Sequence, residues 1–148
     1  MLYREIPRTK VMLQIHFGAD YTSGEYGKTL QIKKSVKWQL ESLKTYYIDY
    51  GCIHCLEEKP DLRACLENGV LDYIKELKNA GIVRHIGLSS HSPKPVNRVL
   101  DLNIINVVMF GVNLGCDYGE GEFSIGNTSE RQELYCHCQR EGVGITAK

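Results

Sequence analysis

Val83-Arg84-His85-Ile86-Gly87-Leu88-Ser89-Ser90-His91 alternates along its length and then ends abruptly in small and polar side chains. Because successive residues of a strand point to opposite faces, Ile86 and Leu88 share one face while His85, Gly87 and Ser89 share the other. The apolar face suits packing on helices, and the glycine face leaves room for another group. A similar stretch precedes it, Tyr47-Ile48-Asp49-Tyr50-Gly51-Cys52-Ile53-His54-Cys55, and its polar terminus is His54. One helix separates the two. Strand, helix and strand in this order form a right-handed βαβ unit, which gathers the polar groups at the carboxyl ends of both strands on one edge.

The same unit repeats outward in both directions. Lys10 to Phe17 predicts a first strand ending at His16, followed by a Gly18-Ala19-Asp20 turn and a polar loop from Tyr21 to Thr29. From Leu30 to Leu43, Ile32, Val36, Leu40 and Leu43 recur at helical spacing, with Lys33, Lys34, Lys37 and Glu41 opposite. After the charged stretch from Glu57 to Arg63, which contains Pro60, a helix with Leu66, Val70, Leu71, Ile74 and Leu77 as its buried stripe is expected to stop at Gly81. Ser92-Pro93-Lys94-Pro95 opens a short helix carrying Val96, Val99 and Leu100. Ile104 to Asn113 predicts a fourth strand, with Val107, Met109, Gly111 and Asn113 on one face and Val108, Phe110 and Val112 on the other. It is apolar nearly throughout, as a strand covered on both faces should be. Gly115 to Asn127 is irregular by composition. Ser129 and Gln132 have capping-box spacing, which predicts a helix from Glu130 to about Glu141 stopped by Gly142. Val143 to Lys148 begins a fifth strand.

Five strands alternating with four helices place the chain in the α/β class with a parallel sheet. The sheet is either open and doubly wound or part of a (β/α)8 barrel, and the periodicity leaves both open. Phe17-Gly18-Ala19-Asp20 lacks the glycine fingerprint that an open dinucleotide-binding sheet carries after its first strand.

The 148 residues suit one domain, 1–148, and 18 basic side chains balance 18 acidic ones. No basic stripe exists to meet nucleic acid or an acidic membrane. The amino terminus lacks the apolar core of a secretory signal, and the apolar runs are of strand length, so a cytoplasmic location is expected. Six cysteines in a chain this long are too sparse for a disulfide scaffold. Cys52-Ile53-His54-Cys55 and Cys136-His137-Cys138 lack the spacing of a paired zinc knuckle, and no metal is expected at either. His85 in mid-strand reads as an interior histidine and His91 as a turn residue. Lys33, Lys34, Lys37, Lys75 and Lys78 read as a solvated face.

The run Ser42-Leu43-Lys44-Thr45-Tyr46-Tyr47-Ile48-Asp49, then Ile53-His54, then Val83 to Ser90, resembles the middle of an aldo/keto reductase, with a looser match from Val11 through Ala147. His16-Phe17-Gly18-Ala19-Asp20-Tyr21, Gly69-Val70-Leu71-Asp72-Tyr73-Ile74 and Met109-Phe110 are more similar to a bacterial branch with a ferredoxin-like tail. No closely spaced cysteine run of the cluster-binding type occurs, so no iron–sulfur cluster is expected on this chain. The resemblance implies a partial (β/α)8 barrel with about five of its eight strands. It also implies hydride transfer from NADPH or NADH to a small carbonyl substrate, with Asp, Tyr, Lys and His as the catalytic set.

Carried over by residue, His54 matches the family histidine, and His16 falls where the family has its lysine. Ser89 and Ser90 match the Ser-Asn pair that holds the nicotinamide carboxamide. Met109 stands in place of a glutamine for the same group, and Val112 in place of a stacking tyrosine. Asn113, ending its strand on the Met109 face, is a further candidate for a site or loop-anchoring role. The family's Asp and Tyr belong upstream of Met1; Tyr26 in Glu25-Tyr26-Gly27 is similar to its Tyr-Gly pair but follows the wrong strand. An incomplete barrel without its general acid is expected to lose ~10²–10⁴ in rate, and its open sheet edges invite self-association. Two other readings stand beside this one: a non-catalytic remnant or binding module, and a metal-dependent barrel hydrolase holding zinc with His16, His54 and His91.

Overall fold

The computed structural model describes residues 12–18, 29–54, 59–112, 115 and 125–148. Five parallel strands form its sheet: β1 (Gln14–Phe17), β2 (Ile48–His54), β3 (Val83–Ser89), β4 (Val107–Phe110) and β5 (Gly144–Ala147). They lie side by side in chain order, β1-β2-β3-β4-β5. An open doubly wound sheet reverses its order at a switch point, whereas a barrel adds each strand beside the last. The unbroken order therefore selects the partial (β/α)8 barrel.

Register sorts the strand residues into rows. Gln14, Tyr50 and His85 form one; His16, Cys52, Gly87, Val107 and Gly144 the next; His54, Ser89, Met109 and Thr146 the row nearest the carboxyl ends. These rows share a face, and that face is concave. Gln14 Nε2 donates to Met109 Sδ at 3.7 Å, although β1 and β4 are three strand spacings apart, roughly 14 Å in a flat sheet. The sheet has curled far enough for its first and fourth strands to touch.

The helices cover the other face. Those with described bounds are α1 (Thr29–Leu43), α2 (Lys59–Glu67), α3 (Val70–Asn79), α4 (Pro93–Leu100) and α5 (Thr128–Glu141). Ile15, Phe17, Ile53, Ile86, Leu88, Val108 and Phe110 from the strands join Ile32, Val36, Val70, Ile74, Leu77, Val96, Val99 and Leu134 from the helices in one buried cluster. Gly51 lets the helix side close up, because a Cβ there would lie 2.4 Å from the Phe17 ring. At the amino ends of the strands, buried Asp49 accepts from Leu13 N at 2.9 Å and from Arg84 Nη1 at 2.9 Å, joining β2 to the chain on both sides. Among the described residues no helix is long and apolar enough to cross a membrane.

Several local expectations change. The single helix expected between β2 and β3 is two, broken at Gly69, whose φ of 71° is left-handed. Leu66 consequently leaves the buried stripe and is 45% exposed. Asn127, not Ser129, caps α5: its side chain accepts from Glu130 N at 2.9 Å while Glu130 Oε2 accepts from Asn127 N at 3.2 Å. Both pairs have the required spacing, but Glu130 is also held by Lys94 of α4 at 2.9 Å, which favours the earlier start. β4 runs only from Val107 to Phe110.

The glycine face of β3 is not open space. A Cβ on Gly87 would lie 2.5 Å from Cys52 Sγ and 2.7 Å from Val107 Cγ1, so side chains from both neighbouring strands already meet over it. Gly87→Ala should force these apart and cost about 1–3 kcal/mol, measured as a lower urea midpoint; a midpoint equal to wild type would contradict a closed layer there.

Candidate active site

Strand direction and register bring a small set of polar side chains to one mouth, at the carboxyl ends of the strands on the concave face. His16 ends the inner side of β1 and His54 that of β2, with ring centroids 4.6 Å apart and planes inclined at 45°. Ser89 is the register partner of His54 on β3. From the far side of the sheet Lys148 Nζ donates to Ser89 Oγ at 3.2 Å. The α1 residue Gln39 donates to the His16 carbonyl at 3.3 Å and to Ser35 Oγ at 3.1 Å, tying the end of β1 to the helix behind it.

Electrostatically the mouth holds an ammonium beside imidazole. Burial, and secondarily the charge of Lys148, lower the pKa of His16 below its ordinary 6.5. His16 is therefore predominantly neutral at pH 7. Its Nε2 is buried and has no hydrogen-bond partner among the described residues. Beside His16 in the same register row, burial pushes the Cys52 thiol up to about 11 against the opposing influence of Lys148.

The other sequence candidates separate. Ser90 is fully buried, its Oγ accepting from Ser92 N at 3.1 Å and lying 3.4 Å from Ser92 O in the turn that leads into α4. The two adjacent serines thus point apart, as alternation requires. Met109 is half-buried on the concave face and contacts Gln14. Val112 lies with Tyr135, Ile145 and Ala147 around a shallow space of about 250 Å³ on the helix side. His85, expected inside, is exposed on the concave face and stacks on Tyr50 at 5.1 Å. Its row lies toward the amino ends, away from the mouth. Among the described residues no three His, Cys, Asp or Glu side chains come together to hold a metal. The His16, His54 and His91 set of the hydrolase reading does not form a metal-holding group among the described residues, and His91 sits in the turn after β3. Asn113 and Tyr26 lie outside the described residues, as do the stretches 19–28 and 116–124.

Lys148 is the residue of the mouth that the sequence reading does not name. Alternation carries the signal for Lys148: in Gly144-Ile145-Thr146-Ala147-Lys148 it shares parity with Thr146, which pairs with Met109. Its backbone N–H donates to Phe110 O at 3.1 Å, extending the ladder one residue past β5.

The aldo/keto reductase family model matches residues 2–148. The chain belongs to the aldo/keto reductase family. Among solved structures it is similar to aldo-keto reductase AKR11C1 from Bacillus halodurans in its holo form, with 22% identity and a TM-score of 0.68 over 93% of this chain and 42% of that one. It is also similar to Bombyx mori aldo-keto reductase AKR2E4 in complex with NADP, with 19% identity and a TM-score of 0.62 over 96% of this chain and 42% of that one. An aldo/keto reductase from Brucella melitensis gives 20% identity and a TM-score of 0.63 over 97% of this chain and 48% of that one. The chain thus spans less than half the length of these relatives, and at such identity they speak for the shared fold. No curated protein sequence matches the chain.

Within this aldo/keto reductase fold the mouth has two measurable consequences. An unfolded chain protonates His16 near 6.5, while the folded state resists that proton to lower pH. The His16 contribution is therefore complete above about 6.5 and is lost as pH falls from there toward the folded-state value. Urea midpoints at pH 7.5 and pH 5 should show a smaller acid loss in His16→Gln than in wild type, and equal losses would refute the burial of this ring. Exposed Cys136 should react with iodoacetamide at pH 7.5 while Cys52, buried and raised to about 11, stays unmodified until unfolding. Peptide mapping by mass spectrometry reads the two sites separately.

Proposed function

We propose that this chain carries the histidine side of an aldo/keto reductase active site, taking NADPH or NADH as cofactor and a small carbonyl compound as substrate. The single observation behind it is the convergence of His16, His54, Ser89 and Lys148 at adjacent parallel strand ends on the concave face. Active sites of (β/α)8 barrels lie at that end. The presence of NADP in the Bombyx mori relative supports the cofactor class.

The residues present fit part of a nicotinamide site. The Ser89 hydroxyl accepts from Lys148 and retains its own proton, so it is able to donate to a carboxamide oxygen. Met109 contributes less than the glutamine it replaces, since a thioether is a weak acceptor and donates nothing. Ser90, committed to its turn, serves in this proposal to set the backbone beneath Ser89. A reduced nicotinamide supplies hydride to a carbonyl carbon. His54 orients the carbonyl oxygen, neutral His16 offers a second imidazole at 4.6 Å, and Lys148 brings positive charge to the region where alkoxide charge develops. No tyrosine of the described residues joins the mouth, so proton delivery is the missing element and turnover by this chain alone is proposed to be low.

A second reading, a module that binds nicotinamide without turnover, is favoured by that same missing tyrosine. In either case we place the chain in the cytoplasm and propose self-association through its sheet, since the side chains of β5 are exposed throughout.

NADPH fluorescence titration tests the binding claim. Saturable quenching is expected, weakened roughly 2- to 10-fold in Ser89→Ala by loss of one hydrogen bond. Absence of saturation in the wild type would overturn the proposal, and saturable binding with no aldehyde-dependent NADPH oxidation would select the non-catalytic module.

A further inference from the structure

We propose that Lys148 is a positioning residue of the mouth: its ammonium, seated on the concave face, holds the Ser89 hydroxyl and supplies the positive charge beside His16. The purpose of that arrangement rests on the nicotinamide reading above, but the geometry does not. Lys148 is placed by the backbone, whose N–H donates to Phe110 O at 3.1 Å and so carries the β4–β5 ladder one residue further. The parity of β5 then sends the side chain to the concave face, where Nζ donates to Ser89 Oγ at 3.2 Å from two strands away.

Two chemical consequences follow from that seat. An ammonium is only a donor, so Ser89 Oγ must accept from it, and the serine proton is left to point at an acceptor. Ser89 thereby becomes a donor of defined direction, suited to an amide or ketone oxygen. The same charge opposes protonation of His16, which burial already disfavours. Among the described residues the titratable groups near His16 are Cys52, its register partner, and His54 from β2, together with Lys148; α1 contributes the neutral Gln39. Lys148 is the cation of that set. The mouth thus combines a fixed positive charge with a neutral imidazole able to donate or accept.

Histidine Cε1 NMR titration of the full chain reads this directly, with His16→Gln used to assign the resonance. In Lys148→Met the His16 midpoint should rise by roughly half a pH unit or more, as expected when a nearby charge is removed. Lys148→Arg, which keeps the charge, should hold the midpoint near wild type. Ser89→Ala, which removes the anchor and leaves the lysine, should give an intermediate rise and serves if Lys148→Met does not fold. A His16 midpoint unmoved or lowered in folded Lys148→Met, or in Ser89→Ala when that variant replaces it, would overturn the assignment. NADPH titrations run in parallel keep the two claims distinct. A raised His16 midpoint without NADPH binding leaves the Lys148 assignment standing and removes the nicotinamide reading, while NADPH binding with an unmoved midpoint does the reverse.

Discussion

Curvature is the constraint on which the rest of this structure depends. Parallel strands added in unbroken order by right-handed crossovers put the described helices on one face, and the sheet curls away from those helices. The contact between Gln14 and Met109 across β2 and β3 marks how far that bending goes. Once the sheet is curled, side chains on its inner face compete for shrinking space. The layer at Cys52, Gly87 and Val107 shows the outcome, since a glycine is needed where a thiol and a valine converge. The filled layer supports the mouth, and the row of His54, Ser89 and Met109 lies beyond it at the carboxyl ends of the strands.

Side-chain reach sets the electrostatics. The Lys148 and Ser89 backbones are two strands apart, roughly 10 Å in a flat sheet, and the long lysine side chain crosses that gap to bring its Nζ within hydrogen-bonding reach of Ser89 Oγ. Burial and this converging charge act on His16 in the same direction, and on the Cys52 thiol in opposite directions with burial prevailing. Imidazoles face each other at 4.6 Å without mutual charge repulsion when at least one of them is neutral. The neutral His16 is thus compatible with the close pair and is a consequence of where it sits.

Membership of the aldo/keto reductase family sits on a chain that spans less than half the length of the Bacillus halodurans, Bombyx mori and Brucella melitensis relatives. What this chain brings together is a mouth built by consecutive strands: the histidine of β2, the serine of β3 and the cation after β5. Strand order decides which groups travel together in such a segment, because neighbouring strand ends in a barrel are also neighbours in chain order. A contiguous piece of sequence therefore carries a contiguous arc of the mouth.

Local physics made much of this legible from the sequence. Period-two alternation located β2 and β3 and placed His54 and Ser89 at their ends; helical spacing found α1; Gly142 marked the end of α5, where its φ of 67° requires a residue without a Cβ penalty. These features depend on near neighbours in the chain, and near neighbours are what a pattern records. Other features needed the third dimension. Gly69 broke one expected helix into two, and Asn127 displaced Ser129 as the cap because Lys94 of another helix holds Glu130. The space beside Gly87 was closed by side chains of flanking strands, and Lys148 meets Ser89 because the strand order sets β5 two strands from β3. Composition and periodicity determined the strands, their faces and the edge where polar groups collect. Open sheet or barrel, full layer or cavity, and the charge on His16 were decided by tertiary structure, since each depends on distances between residues far apart in the chain.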